Sequence, residues 1–147
     1  MRTYKKKYII NKINQITKVR RPGPDIILVD DDEAIRDIFA IIFRRAGYSC
    51  NIMADGSELM KNCIGLPKLF LIDRQLSGSS GIDLCLFLKS QGHTRKIPIV
   101  LISASPDVER LSKEAGADNF LEKPFDMKTL IQMLDNYLKP ADKVLKS

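Results

Sequence analysis

The residues of this chain that could do chemistry stand directly behind apolar runs. Asp30 and Asp31 follow Ile26-Ile27-Leu28-Val29, and Asp73 follows Leu69-Phe70-Leu71-Ile72. Ser103 follows Ile97-Pro98-Ile99-Val100-Leu101-Ile102, and Lys123 lies just past Asp118-Asn119-Phe120-Leu121. Taken singly, each has an ordinary explanation: a helix cap, a turn, a solvated lysine. Apolar runs of this length, closed by polar or Gly/Ser-rich residues such as Arg74 to Gly81, read as strands buried on both faces. In a parallel sheet all four carboxyl ends lie on one rim, where ligands collect in open α/β folds. The ordinary explanations would then have to hold at four converging places together.

Charge sets the chemistry that such a cluster allows. Two carboxylates about 4 Å apart repel by roughly 4 kcal/mol at an effective dielectric near 20. Three such groups raise one another's pKa or require a cation. Lys123 offers one positive charge, and a divalent ion would bring three carboxylates and a lysine to neutrality. Oxygen donors suit Mg²⁺ (or Mn²⁺), and no histidine lies near these strand ends to suggest zinc. A metal beside a carboxylate can orient a phosphoryl donor during transfer to that carboxylate, giving an acyl phosphate. Ser103 could donate a hydrogen bond to the added group, and Lys123 could pair with it.

The elements that must position these residues follow from periodicity. After the Ile26–Val29 strand, Ile35, Ile38, Phe39 and Ile42 form one helical stripe, with Asp32 placed as N-cap and Gly47 as terminator. Tyr48 to Ile52 reads as a shorter, more polar strand suited to a sheet edge. Residues 56 to 64 read as a second helix with Leu59, Met60, Cys63 and Ile64 inward, and Ile82 to Gln91 as a third with Ile82, Cys85, Leu86 and Leu88 supplying apolar faces. Pro106 suits the first turn of the next helix, whose apolar stripe is only Val108, Leu111 and Ala115, so it is expected to be the most weakly anchored. Asp126 caps a last helix with Leu130, Met133, Leu134, Tyr137 and Leu138 inward, ended by Pro140. Five strand–helix alternations predict a doubly wound parallel sheet with helices on both faces. No Gly-x-Gly-x-x-Gly and no Gly-Lys-Ser/Thr loop follows the first strand, which excludes dinucleotide and P-loop sites.

Composition bounds the rest. A chain of 147 residues suits one domain with a proper core. Its net charge of +6 is unevenly spread. Residues 1–24 hold eight Lys/Arg and no acid, which leaves 16 basic and 18 acidic residues, a net of −2, in the remainder. A basic arm (residues 1–24, closing in the Arg21-Pro22-Gly23-Pro24 linker) thus precedes a mildly acidic domain over 25–140 and a tail over 141–147. Ile9, Ile13 and Ile16 allow a short amphipathic helix in the arm, and a solvated tail or packing on a neighbouring chain is favoured there over an anionic surface. Cys50, Cys63 and Cys85 are three widely spaced thiols, as in a reducing compartment. No signal peptide and no membrane-spanning run is read, and a cytoplasmic location is expected.

The chain resembles a response-regulator receiver domain of two-component signalling over about residues 25–140. The resemblance rests on Ile27-Leu28-Val29-Asp30-Asp31-Asp32-Glu33, Leu71-Ile72-Asp73, Gly81, Leu101-Ile102-Ser103-Ala104 and Gly116-Ala117-Asp118 with Phe120-Leu121-Glu122-Lys123-Pro124-Phe125, in that order. It implies a flavodoxin-like strand order 2-1-3-4-5, an order also found in a chemotaxis regulator. It implies Asp73 as phosphoacceptor, served by a histidine kinase or histidine phosphotransfer protein. Asp30, Asp31, Asp73 and the backbone carbonyl of Gln75 would bind the metal, with Asp31 the direct acidic ligand of the pair. Ser103 and Lys123 would contact the phosphoryl group, and Phe120 matches the aromatic switch position. The family commonly has Pro where Ser77 stands and Asp where Ser80 stands, and Arg74 and Gln75 are unusual there.

The expected function is a Mg²⁺-dependent phosphoacceptor switch that turns over no substrate. The face made by the Val108–Ala115 helix, the fifth strand and the last helix would be read by an effector protein or pair with its own copy; nucleic acid and membrane are not expected partners. Three rivals stand beside this. A docking module working without phosphorylation would have lost Asp31, Asp73 or Lys123, and none is lost. A phosphohydrolase using an aspartyl phosphate usually has a second Asp two residues on, where Gln75 stands. A DNA-binding regulator would act through the basic arm, with salt-dependent affinity. His93, in Gln91-Gly92-His93-Thr94, reads as a surface loop residue on the opposite rim rather than a relay histidine.

Overall fold

The computed structural model describes residues 5–9, 23–61 and 65–139. Five parallel strands form the central sheet: β1 (Ile26–Val29), β2 (Cys50–Met53), β3 (Leu69–Asp73), β4 (Ile99–Ser103) and β5 (Asn119–Glu122). They lie in the order β2-β1-β3-β4-β5. Ile26 stands beside both Cys50 and Leu69, Phe70 beside Ile99, and Val100 beside Asn119. β1, β3 and β4 are buried at every position, which explains their continuous apolar sequence, whereas β2 at the edge is mostly half-buried.

Five helices cover the sheet: α1 (Glu33–Ala46), α2 (Ser57–Met60), α3 (Gly81–Ser90), α4 (Val108–Glu114) and α5 (Met127–Leu138). The pleat divides the core in two. Ile27, Val29, Phe70, Ile72 and Leu101 face Leu59, Leu84, Leu88 and Leu111, from α2, α3 and α4. Ile26, Leu28, Leu69, Leu71 and Val100 face Phe39, Phe43, Leu130 and Leu134, from α1 and α5.

The helix termini follow the expected chemistry. Asp32 caps α1 by accepting from Ile35 N, and Gly47 closes it at φ +85°. Asp126 caps α5 by accepting from Thr129 N at 2.7 Å. Other expectations need correction. Ile38 is 53% exposed, and the buried stripe of α1 is Phe39 and Phe43, with Ile35 and Ile42 at its margin. Met60 is 50% exposed rather than inward, and α2 ends there in a single short turn. Leu86 also faces outward, since α3 buries Leu84, Cys85 and Leu88. α4 starts at Val108, two residues after Pro106, which lies in the turn preceding the helix. Val108, Leu111 and Ala115 are buried as predicted. Cys63, Ile64, Pro140 and most of the arm, including Ile13 and Ile16, lie outside the described residues; residues 5–9 are helical.

Candidate functional site

The carboxyl rim of the sheet brings together Asp30, Asp73, Ser103 and Lys123. Asp73 is the last residue of β3 and stands beside Ile102 of β4 in the register. Ser103 ends β4 and stands beside Glu122 of β5, and its carbonyl accepts from Lys123 N at 2.8 Å. This last bond places Lys123 over the site although it lies 50 residues from Asp73 in sequence. Lys123 Nζ donates to Asp73 Oδ2 at 2.5 Å.

Asp73 is 6% exposed, and its other oxygen accepts from the backbone N–H of Gln75 at 2.9 Å. Asp30 is 1% exposed, and its Oδ1 accepts from Asp32 N at 3.0 Å. Among the described residues, Asp30 Oδ2 is the buried side-chain oxygen without a hydrogen-bond partner. Lys123 Nζ is 3.9 Å from it, within ion-pair range but too far for a hydrogen bond. Burial pushes the Asp30 carboxyl up to about 6, and the neighbouring Asp73 charge adds to the rise. The Asp32 N–H and the Lys123 ammonium partly offset it.

Asp31 behaves differently. It is exposed, and its Oδ2 accepts from the hydroxyl of Ser77 at 2.8 Å. Among the described residues no three acidic, thiol or imidazole groups gather closely enough to hold a metal. The donor chemistry nonetheless fits a hard divalent cation: carboxylate oxygens, one of them buried and unpartnered, beside Lys123.

The loop that follows Asp73 is built for close approach. Gln75–Leu76 and Ser79–Ser80 pair as a short antiparallel hairpin, and Gly78 at its tip has φ +75°. The chain then folds back over the end of β3. Gly81 N donates to Arg74 O at 2.7 Å, and a Cβ on Gly81 would lie 2.0 Å from the Asp73 carbonyl oxygen. Ser80 caps α3 by accepting from Ile82 N at 3.1 Å. Ser103 Oγ accepts from Ser105 N at 3.0 Å, which orients it at the β4 end. Phe120 is half-buried on β5 beside Leu101. His93 is exposed in the connection before β4, away from the rim.

Two participants escaped the sequence reading. Arg36 Nη1 donates to the Asp30 carbonyl at 3.0 Å, tying α1 to the end of β1. Its only signal was its place one turn into the helix. The second is an apolar groove of about 400 Å³ beside Lys123, lined by Ile35, Ile38, Phe39, Ala104, Pro124 and Phe125.

The strand order and the acidic rim define a class: doubly wound α/β modules of the kind shared by flavodoxin and a chemotaxis regulator. Residues 26–135 match the family model of the response regulator receiver domain, and the chain belongs to that family, whose general role is phosphorylation-dependent switching. It is 32% identical over 120 residues to the DNA-binding response regulator MtrA of Mycobacterium tuberculosis, an alignment covering 80% of this chain and 51% of that protein. The chain spans about half the length of the curated relatives it matches. Chemotaxis protein CheY4 of Vibrio cholerae superposes with a TM-score of 0.69 at 28% identity, covering 77% of this chain and 97% of that one. The receiver domain of a Pseudomonas aeruginosa sensor histidine kinase, described with a magnesium ion in its active-site cleft, gives a TM-score of 0.70 at 24% identity. It covers 80% of this chain and 99% of that one. No helix among the described residues is long and apolar enough to cross a membrane.

Proposed function

We propose that Asp73 accepts a phosphoryl group from a phosphohistidine on a histidine kinase or histidine phosphotransfer protein. The observation that carries this is the Asp73–Lys123 contact on a rim where Asp30 keeps an unpartnered buried oxygen. A bond forms between a carboxylate oxygen of Asp73 and phosphorus as the P–N bond breaks, and the imidazole keeps the electron pair and takes a proton. Asp30, Asp31, Asp73 and the Gln75 carbonyl would hold Mg²⁺. When bound, the ion neutralises charge that builds on the transferring group. The Pseudomonas receiver, described with magnesium in its active-site cleft, favours that ion here without assigning its ligands.

Lys123 pairs first with the Asp73 carboxylate and then with the phosphoryl oxygens, and Ser103 donates its hydroxyl to them. The inward pull on Ser103 is relayed to half-buried Phe120 and to α4, shifting the population of the α4–β5–α5 face that an effector protein or a second copy would read. The groove beside Lys123, with exposed Ile38 at its margin, suits the approach of the donor protein. The module switches and does not turn over a substrate. The free thiols of Cys50 and Cys85 suit cytoplasmic action.

The test is intact mass after incubation with acetyl phosphate and Mg²⁺. Wild type gains about one phosphoryl unit, and Asp73→Asn, or wild type in chelator, gains none. No gain by wild type under any condition would leave a docking module that works unphosphorylated.

A further inference from the structure

The Ser77–Asp31 hydrogen bond joins two loops whose residues lie 46 apart in sequence, across the mouth of the site. One partner is the exposed carboxylate next to Asp30, and the other stands at the tip of the hairpin that follows Asp73. Ser77 and Gly78 are the two turn residues between the paired segments, so the hydroxyl is presented by a defined turn. Each acidic side chain of the rim has at least one oxygen held by a protein donor: one oxygen of Asp30 by Asp32 N, both oxygens of Asp73 by Lys123 and Gln75 N, and one oxygen of Asp31 by Ser77. Only for Asp31 is that donor a neutral side-chain hydroxyl from a surface turn, the easiest of these to release.

We propose that Ser77 is a latch that holds the Asp31 carboxylate outside the cation site, so that a divalent ion must break the Ser77–Asp31 bond to complete its ligand set. This rests on the cation reading given above. Two observations carry it. Asp31 Oδ2 is taken by the Ser77 hydroxyl, and among the described residues the acidic groups do not gather into a metal-holding cluster. Asp30 and Asp73, by contrast, already share Lys123. Of the three candidate acidic ligands, Asp31 is thus the one whose carboxylate a turn hydroxyl holds. The same hairpin carries Gln75, whose N–H holds Asp73 and whose carbonyl is a candidate ligand. Release of Ser77 would then also free the loop that must adjust around the ion. The hydroxyl is therefore a positioning group that sets how tightly the cation binds, and a proline at the same position would offer no donor.

Mn²⁺ binding tests this directly, read as loss of the free-ion electron paramagnetic resonance signal. The proteins compared are wild type, Ser77→Ala and Ser77→Thr, each checked for folding by circular dichroism. Ser77→Ala is expected to bind Mn²⁺ about three- to tenfold more tightly, the effect of removing one hydrogen bond that competes with the ion. Ser77→Thr keeps the hydroxyl and stays near wild type. Amide hydrogen exchange gives a second reading: in chelator, residues 76–80 exchange faster in Ser77→Ala than in wild type, and the two converge once Mg²⁺ is added. Unchanged or weaker Mn²⁺ binding by Ser77→Ala, with wild type binding normally, overturns the latch and leaves the cation site standing. Failure of both wild type and Ser77→Ala to bind Mn²⁺ overturns the cation site and the latch with it.

Discussion

Asp30 shows most clearly what the rim costs. It is almost fully buried, it has one oxygen without a hydrogen bond, and a second carboxylate lies beside it. Its carboxyl is raised from 3.8 to about 6, so between those values the folded chain keeps a proton that the unfolded chain has released. Stability therefore falls as pH rises through that window and stays lower above it. At neutral pH in chelator, Asp30→Asn should gain about 1–3 kcal/mol, seen as a higher urea midpoint and a flatter pH profile between 4 and 6. A variant less stable than wild type at pH 7 would contradict the assignment of cost to charge. Asp30, Asp73, Ser103 and Lys123 were legible in the sequence because each sits at a fixed offset from an apolar run. The Ser77–Asp31 and Arg36–Asp30 bonds were not, because a hydroxyl in a turn and an arginine on a helix have many equivalent partners until the loops are placed.

Among the elements, the turn into α3 carries the tightest demand. The backbone passes so close to the Asp73 carbonyl that a single added carbon at position 81 meets it at 2.0 Å. Gly81→Ala should destabilise by about 2–3 kcal/mol through a forced shift of backbone against backbone. If Asp73 accepts the phosphoryl group as proposed, it should also slow phosphoryl uptake, because the shift is applied to the backbone of that residue. Urea denaturation and the time course of the mass gain would measure the two effects. Normal stability would show that the turn can relax, which the contact geometry denies. Element boundaries were legible where a side chain performs the capping, as at Asp32 and Asp126, or where a glycine takes positive φ, as at Gly47. They were less legible where tertiary packing decides. The apolar stripe of α1 contained Ile38, yet the sheet is met by Phe39 and Phe43, and the isoleucine is left at the rim of a groove.

At the scale of the whole molecule the sheet separates two cores that, among the described residues, share no buried side chain. Phe43 belongs to the α1/α5 side and Leu88 to the α2/α3/α4 side. Phe43→Ala should cost about 3–5 kcal/mol and Leu88→Ala about 2–5 kcal/mol. Combined in one chain, the losses should add within about 0.5 kcal/mol by urea denaturation, because the sheet keeps the two sites apart. A large coupling would mean that the sheet itself bends in response. The doubly wound architecture was legible from alternation alone, since three fully buried strands cannot sit anywhere but in the middle of a covered sheet. The middle position of β1 has a kinetic side. Its two neighbours begin at Cys50 and Leu69, so the first strand of the sheet finds neither partner nearby along the chain. Closing those loops costs entropy before any pairing repays it. During synthesis β1 would wait through much of the domain with an unsatisfied edge. The pairing of β3 with β1 that ends this wait also sets Asp73 beside Asp30, so the slow search that commits the chain to its fold is the search that builds the proposed acceptor site.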